Sequence, residues 1–245
     1  MEDQYGPSTY GDRIADVYDQ WFSVPVDTDE TVAFLADLAG PGPVLELGIG
    51  TGRLALPLKE RGLEVHGIDS SEAMVAKLRA KPGGQDLPVA MGDFADVPVE
   101  GQYRLIFVAF NTFFALLSQD DQVRCFHNVA ARLSPDGVFV LSAFVPDQAR
   151  FDRGQRIQTE VVGTDSLVIG GSEHDAVHQR VRSVHVVLTE SGTRLYPVQL
   201  RYAYPSELDL MARLAGLRLR HRWEDWMRTP FTPSSEGHVS VYERA

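Results

Sequence analysis

The chain has little cysteine: Cys125 is its single thiol in 245 residues. One thiol cannot close an internal disulfide, which excludes a disulfide-stapled scaffold and fits a reducing, cytoplasmic setting. Cys125 falls in an amphipathic stretch and reads as a small core residue rather than a nucleophile. No apolar run reaches membrane-spanning length, so no integral membrane segment is expected. Met1 to Pro7 carry neither a basic patch nor an apolar run, so no secretory signal is expected there. Positive charge is also scarce: 23 Lys and Arg stand against 34 Asp and Glu, a formal net charge of −11. Arginines gather between Arg213 and Arg228, but Glu224 and Asp225 interrupt them, so the stretch reads as a solvated edge and nucleic acid as a poor partner. Paired cysteines are missing, and no metal site is expected.

What the chain does have is 44% hydrophobic residues, enough for a large core. From Pro43 onward short apolar runs alternate with amphipathic stretches. Val44–Leu47, Leu63–Ile68, Val89–Met91, Tyr103–Phe110 and Val138–Phe144 read as strands. Leu54–Arg61, Glu72–Lys81 and Gln119–Leu133 read as helices. That alternation predicts an α/β fold, a parallel sheet covered on both faces. Before it, aromatic residues are scattered from Tyr5 to Phe22, and Asp27 to Ala39 forms a helix capped by Asp27 or Thr28. Between about Gln155 and Tyr204 the apolar period shortens towards two, with Gly170-Gly171 and Ser191-Gly192 read as turns: a small antiparallel insertion. A helix from Pro205 to Gly216, a strand Leu217–Trp223 and a last strand from His238 complete the pattern, the last strand antiparallel. The expected organisation is a lid over 1–40, a core over 41–150 and 205–245, and an insertion over 151–204 that lies at the acceptor or dimer region.

The turn Glu46-Leu-Gly-Ile-Gly-Thr-Gly52 sits where open α/β sheets bind ligands, at the carboxyl end of the first strand. Gly48 and Gly50 allow the bend and a close ligand approach, and the following helix offers unpaired N–H groups to an anion. An ordinary glycine-rich connection would look the same, so context decides. Asp69 ends the next strand, about twenty residues on, where a carboxylate can accept from ribose hydroxyls. A nicotinamide dinucleotide fits this far. Against it, Arg53 stands where the dinucleotide fingerprint wants glycine, and Glu46 is a buried-looking acid with a reason to exist if a cation lies above the turn. Gly92-Asp93-Phe94 is a third station: Asp93 accepts from an adenine amino group and Phe94 packs on its face, or the pair is a turn with a core ring. Asn111 is a fourth, bonding the cofactor amino group or capping the next turn.

Taken together, Val44-Leu-Glu-Leu-Gly-Ile-Gly-Thr-Gly-Arg, Val65-His-Gly-Ile-Asp-Ser-Ser-Glu-Ala-Met, Met91-Gly-Asp-Phe and Leu133-Ser-Pro-Asp-Gly-Val-Phe-Val resemble the class I S-adenosylmethionine-dependent methyltransferases. The resemblance implies a Rossmann-like seven-stranded sheet with the last strand antiparallel. It also implies that Glu46, Gly48, Gly50, Asp69, Ser70, Met74, Asp93, Phe94 and Asn111 surround S-adenosyl-L-methionine. The branch most similar is that of bacterial secondary-metabolite N-methyltransferases of amino sugars and lincosamide antibiotics. There a Tyr…Tyr-Asp helix closes over the cofactor, matched here by Tyr10 and Tyr18-Asp19, and an antiparallel insertion covers the acceptor pocket and supports dimers. Asn111-Thr-Phe-Phe differs from Asn-Pro-Pro-Tyr, which argues against nucleic-acid or protein-glutamine methylation.

These residues predict methyl transfer to a small-molecule acceptor, an amine nitrogen by preference. Tyr10 and Tyr18 are expected to orient the acceptor or the methyl from the lid, with plain packing as the other reading. Trp21, Phe113 and Phe114 are expected to wall the acceptor pocket, one of the two phenylalanines having core packing as its alternative. His127, His174, His178 and His185 read as surface or structural rather than as bases. O-methylation, an S-adenosylmethionine-binding cyclase and, further off, a NAD-dependent oxidoreductase remain the competing classes.

Overall fold

The computed structural model describes residues 5–21 and 28–245. Phe22 and the Asp27 cap lie outside the described residues. Two short helices, α1 (Thr9–Ile14) and α2 (Tyr18–Trp21), precede α3 (Thr28–Ala39). Then come β1 (Val44–Leu47), α4 (Ala55–Glu60), β2 (Val65–Asp69), α5 (Glu72–Arg79), β3 (Val89–Met91) and β4 (Tyr103–Val108). A 3-10 turn at Thr112–Ala115 leads to α6 (Gln119–Arg132) and β5 (Leu133–Phe144). Strands β6 (Gln155–Val162), β7 (Ser166–Asp175), β8 (Arg180–Thr189) and β9 (Gly192–Arg201) follow, then α7 (Pro205–Leu214), β10 (Leu217–Trp223) and β11 (Gly237–Arg244).

The main sheet runs β10-β11-β5-β4-β1-β2-β3, seven strands. β1, β2, β3, β4 and β5 are parallel, while β11 pairs antiparallel with both β5 and β10. This is the expected mixed α/β sheet. Its strands are apolar throughout because both faces are covered, and successive residues serve opposite layers. Leu45, Leu47, Ile106, Val108 and Phe139 pack with α6 and α7 around Phe126 and Tyr242. Val44, Leu105, Phe107, Val140 and Val241 pack with α3 and α4 around Leu35 and Leu58. The chain runs outward from β1 to β3 and returns to start β4 on the other side of β1. The strand order therefore switches between β1 and β4, whose carboxyl ends open the crevice in which such sheets hold ligands.

The second sheet is antiparallel, β6-β7-β8-β9. Ser191 lies in its β8–β9 turn, where Thr189 pairs with Gly192. Gly170-Gly171 is not a turn. Both glycines lie inside β7, paired with His185 and Val184. A Cβ at Gly170 would stand 2.2 Å from Glu160 Oε1. The bare position lets the Glu160 side chain cross β7 and reach His185 Nδ1 at 2.7 Å on the next strand. A buried network ties this sheet to the core: Arg201 donates to Gln122 Oε1 at 2.5 Å and to Glu207 Oε1 at 2.7 Å. Among the arginines between 213 and 228, Arg222 pairs with Asp209, Arg218 with Glu243 and Arg228 with Asp37.

Candidate functional site

The site begins where β1 stops. Gly48, Gly50 and Gly52 have φ of 74°, 55° and 80°, a left-handed alternation that side chains resist. At Gly48 a Cβ would also fall 2.6 Å from Thr112 Cγ2. The turn is strapped to β2: Gly48 N and Ile49 N both donate to Ile68 O. Gly50 N donates to Asp69 Oδ2 at 2.7 Å, and Ser71 N donates to Asp69 Oδ1 at 2.8 Å. Burial pushes the Asp69 carboxyl above its ordinary range, and these backbone donors oppose that shift. Ser71 then caps α5, its Oγ accepting from Met74 N at 3.2 Å. After β3, Asp93 Oδ1 accepts from Ala95 N at 2.8 Å, beside Phe94.

The end of β4 is strained. Phe110 and Asn111 are successive non-glycine residues with φ of 55° and 68°. Such conformations cost of order 1–3 kcal/mol each and persist only where surroundings enforce them. Here Phe110 N donates to Ser142 Oγ and Asn111 N to Ser142 O. Asn111 Oδ1 accepts from Phe144 N at 2.7 Å, so it bonds β5 and does not cap the 3-10 turn. Asn111 also lines the cavity.

Helices α1 and α2 lie over the crevice. Ile14 and Ala15 pack with Met74 and Tyr196, between α5 and β9. Gly11 permits the approach, since a Cβ there would sit 2.5 Å from Ser71 Cβ. Three exposed acids at helical spacing tie these helices to α5 and the glycine turn. Asp12 accepts from Ser71 Oγ at 2.7 Å, Asp16 pairs with Lys77 at 2.9 Å, and Asp19 accepts from Thr51 Oγ1 at 2.6 Å and pairs with Lys81 at 2.8 Å. Tyr5 is held too, its hydroxyl accepting from Gln199 N at 3.1 Å.

These elements enclose a cavity of about 470 Å³. Gly48, Gly50, Asp69, Ser70, Met74, Asp93, Phe94 and Asn111 line one part of it, with Tyr10 and Tyr18 above. Tyr5, Phe110, Leu116, Leu117, Val198 and Leu200 line another, largely apolar part. Burial raises both the Tyr10 and Tyr18 hydroxyls, so they stay protonated. Glu46 lies beneath, in a crevice of about 30 Å³ that it shares with Tyr18, Gly48, Arg53 and Phe110.

Three expected pocket walls sit elsewhere. Phe113 and Phe114 are fully buried, because the 3-10 turn points both rings into the main core, edge-on to Phe126 and Phe144. Trp21 is absent from the cavity lining and packs edge-on against Tyr196 at 4.9 Å and His185 at 6.0 Å. The histidines do not line the cavity either. His174 bonds Tyr202, His178 bonds Asp175, and His185 bonds Glu160. Cys125 is buried in the core, its thiol pushed up by burial.

Residues 44–137 match a family model described as a methyltransferase domain. The whole chain is similar to the CcbJ methyltransferase of Streptomyces caelestis, at 45% identity, TM-score 0.93, covering 98% of this chain and 100% of that one. This chain belongs to the methyltransferases. The S-adenosylmethionine-dependent class I fold and cofactor go with that membership. The methyltransferase is also 28% identical to the cypemycin N-terminal methyltransferase of a Streptomyces species, over 97% of this chain and 98% of that protein. A fold likeness at 20% identity and TM-score 0.70 extends to S-adenosylmethionine-bound CalS10, an amino pentose methyltransferase from Micromonospora echinaspora, covering 94% and 97%. The methyltransferase's own residues fit the cofactor: the turn offers bare backbone, and Glu46 Oε2 is buried with no hydrogen-bond partner.

Sequence reasoning missed the places of Tyr5, Phe110, Arg53, Asp12 and Asp16. Tyr5 and Phe110 carried no motif. Arg53 counted only as a departure from the dinucleotide pattern. The acids Asp12, Asp16 and Asp19 did leave a signal, the i, i+4, i+7 spacing of one helix face, although the chain breaks its helix between them.

Proposed function

We infer that this methyltransferase transfers a methyl group to an amine nitrogen of a small molecule in bacterial secondary metabolism, in the cytoplasm. The observation that carries this reading is one continuous cavity that joins the glycine turn to an apolar compartment under two tyrosines. Its volume is in the range of small-molecule sites. The names of the relatives favour nitrogen: one acts at an N-terminus, another on an amino pentose.

In this reading Gly48 and Gly50 admit the cofactor to the backbone, Asp69 and Ser70 hold the ribose, and Asp93 and Phe94 hold the adenine. Asn111, Met74 and Glu46 complete the cradle, Glu46 facing the ammonium. S-adenosylmethionine supplies a methyl on a sulfonium, a group with a good neutral leaving partner. What the protein must add is alignment and a dry site. The lid, the core and the β6–β9 sheet divide that work: lid and insertion form the acceptor side, and the insertion offers a surface for a homodimer. Tyr10 and Tyr18, kept neutral, act as hydrogen-bond groups that orient the amine or touch the polarised methyl through C–H···O contacts. The amine reacts as its free base, and no side chain is assigned as base.

Release of S-adenosylhomocysteine, followed with a panel of amine and hydroxyl acceptors, tests the reading. Turnover with amines and none with matched alcohols is expected; the reverse pattern overturns nitrogen as the acceptor. Tyr10→Phe and Tyr18→Phe lose turnover by about 10–100-fold with cofactor affinity changed little. Full activity in both variants removes them from the mechanism.

A further inference from the structure

The apolar part of the cavity takes its walls from two different units. Leu116 and Leu117 belong to the core, in the loop between the 3-10 turn and α6, while Val198 and Leu200 belong to β9 of the insertion. Phe110 is a third wall, fixed under the Arg53 guanidinium 3.8 Å from its ring centre. A loop wall has no sheet to hold it, and its main-chain carbonyls need donors. Here the donors are side chains. Gln122, wholly buried on α6, donates to Leu116 O at 3.2 Å and to Arg201 O at 2.8 Å. Arg180 donates twice to Leu117 O, from Nε at 3.0 Å and from Nη2 at 2.7 Å. Arg180 and Arg201 stand opposite each other in the β8–β9 register, and like charges so placed repel. Arg201 is compensated by Glu207, whereas Arg180 makes no ion pair among the described residues. A guanidinium that gives two donors to one wall carbonyl, across the boundary between insertion and core, clamps the two walls together.

The clamped walls also set what they can hold. The carboxylate on this side, Asp121, accepts from Ser118 Oγ at 2.6 Å and pairs with Arg124 at 2.7 Å, and the Tyr5 hydroxyl accepts from Gln199 N. These polar groups are committed within the protein, and the rings and aliphatic side chains beside them offer contact area instead. Hydroxyls set against such a wall lose water without gaining partners, whereas an apolar group gains by leaving water. We propose that Arg180 is a positioning residue for the acceptor: it fixes Leu117 against β9, and with it the shape of a compartment that selects an amine carried on an apolar body over one carried on a polyhydroxylated body. This rests on the acceptor side as read under Proposed function and adds the class of acceptor to it.

The test is release of S-adenosylhomocysteine by the full chain with three probes: phenethylamine, its alcohol counterpart 2-phenylethanol, and glucosamine. The unaltered protein is expected to favour phenethylamine over glucosamine by at least about tenfold in kcat/KM. Arg180→Met is expected to raise the phenethylamine KM by about 5–20-fold, to keep kcat within about twofold and to shrink that preference. Arg180→Lys, a point charge without the fork, recovers part of the loss. Calorimetry should find S-adenosylhomocysteine affinity within about twofold of the unaltered protein in both variants, and a thermal melt beside it separates misfolding from lost positioning. A lower kcat or weaker S-adenosylhomocysteine binding with KM unmoved, or an unchanged preference, overturns the clamp. A preference for glucosamine in the unaltered protein, or no turnover of any probe by protein that binds S-adenosylhomocysteine, overturns the apolar acceptor. Turnover of 2-phenylethanol and not of phenethylamine overturns nitrogen as the acceptor instead, and the clamp is then read from the alcohol's KM.

Discussion

The two sheets of this protein live in different solvents. Strands β1 and β4 of the seven-stranded sheet are buried almost end to end, with helices on both faces. Strand β6 of the four-stranded sheet is exposed along most of its length, and Ile157 on it is 82% accessible. The cofactor side of the cavity rests on the first sheet and is braced by backbone hydrogen bonds. The apolar side rests on β9 and on α1 and α2, the two helices being fastened by side-chain ion pairs and a few apolar contacts. One half is thus braced by buried backbone, the other by more exposed side chains.

Four experiments break or sharpen this contrast. The largest effect is expected in the core. Phe126→Ala removes a fully buried ring and costs about 3–5 kcal/mol, read as a lowered denaturation midpoint, whereas Ile157→Ala on β6 changes stability by less than about 0.5 kcal/mol. Equal losses would mean that β6 is covered in solution. Next is Gly48→Ala, which meets both a left-handed backbone and the Thr112 methyl. Binding of S-adenosylhomocysteine drops by at least about tenfold in titration, while the melt shifts by a cost of about 1–2 kcal/mol.

Third is Glu46→Gln. Burial raises the Glu46 carboxyl well above its ordinary range, so the folded protein holds that proton more tightly than the unfolded chain. Its contribution to stability is full below the unfolded value of about 4.3 and is lost as pH rises through the folded value. The glutamine variant removes this decline: ligand-free protein becomes more stable at neutral pH by about 1 kcal/mol, while cofactor binding weakens. An unchanged pH dependence of the melt would show that Glu46 is solvated. The smallest effect is Asp19→Ala, which cuts the tie from α2 to Thr51 and Lys81. Hydrogen exchange of the α1 and α2 amides should speed up severalfold, with global stability unmoved. Unchanged exchange would place the hold on the lid in its apolar contacts alone.

Much of the first sheet was legible in the order of residues. Unbroken apolar runs such as Tyr103–Val108 mark strands covered on both faces, and glycine at alternate positions marks a turn that only glycine makes comfortably. The second sheet was legible as a period but not in its details: Gly170-Gly171 has the chemistry of a turn and serves as a gap for Glu160 to cross. Phe113 and Phe114 failed as pocket walls for a similar reason. They follow β4, whose end opens on the cavity, but a 3-10 turn sends both rings inward, and nothing local in Thr-Phe-Phe-Ala announces that.

By itself, then, the sequence determined the strand–helix alternation, the glycine turn and the carboxylates one strand apart, because each depends on neighbours a few residues away or on a fixed repeat. Only the tertiary structure decided that Arg53 stacks on Phe110 instead of pairing with Glu46, that Asp19 reaches Thr51, and that Trp21 leaves the cavity for Tyr196. Those contacts join segments far apart in the chain, and their geometry is set by which faces the packed sheet and the lid bring together.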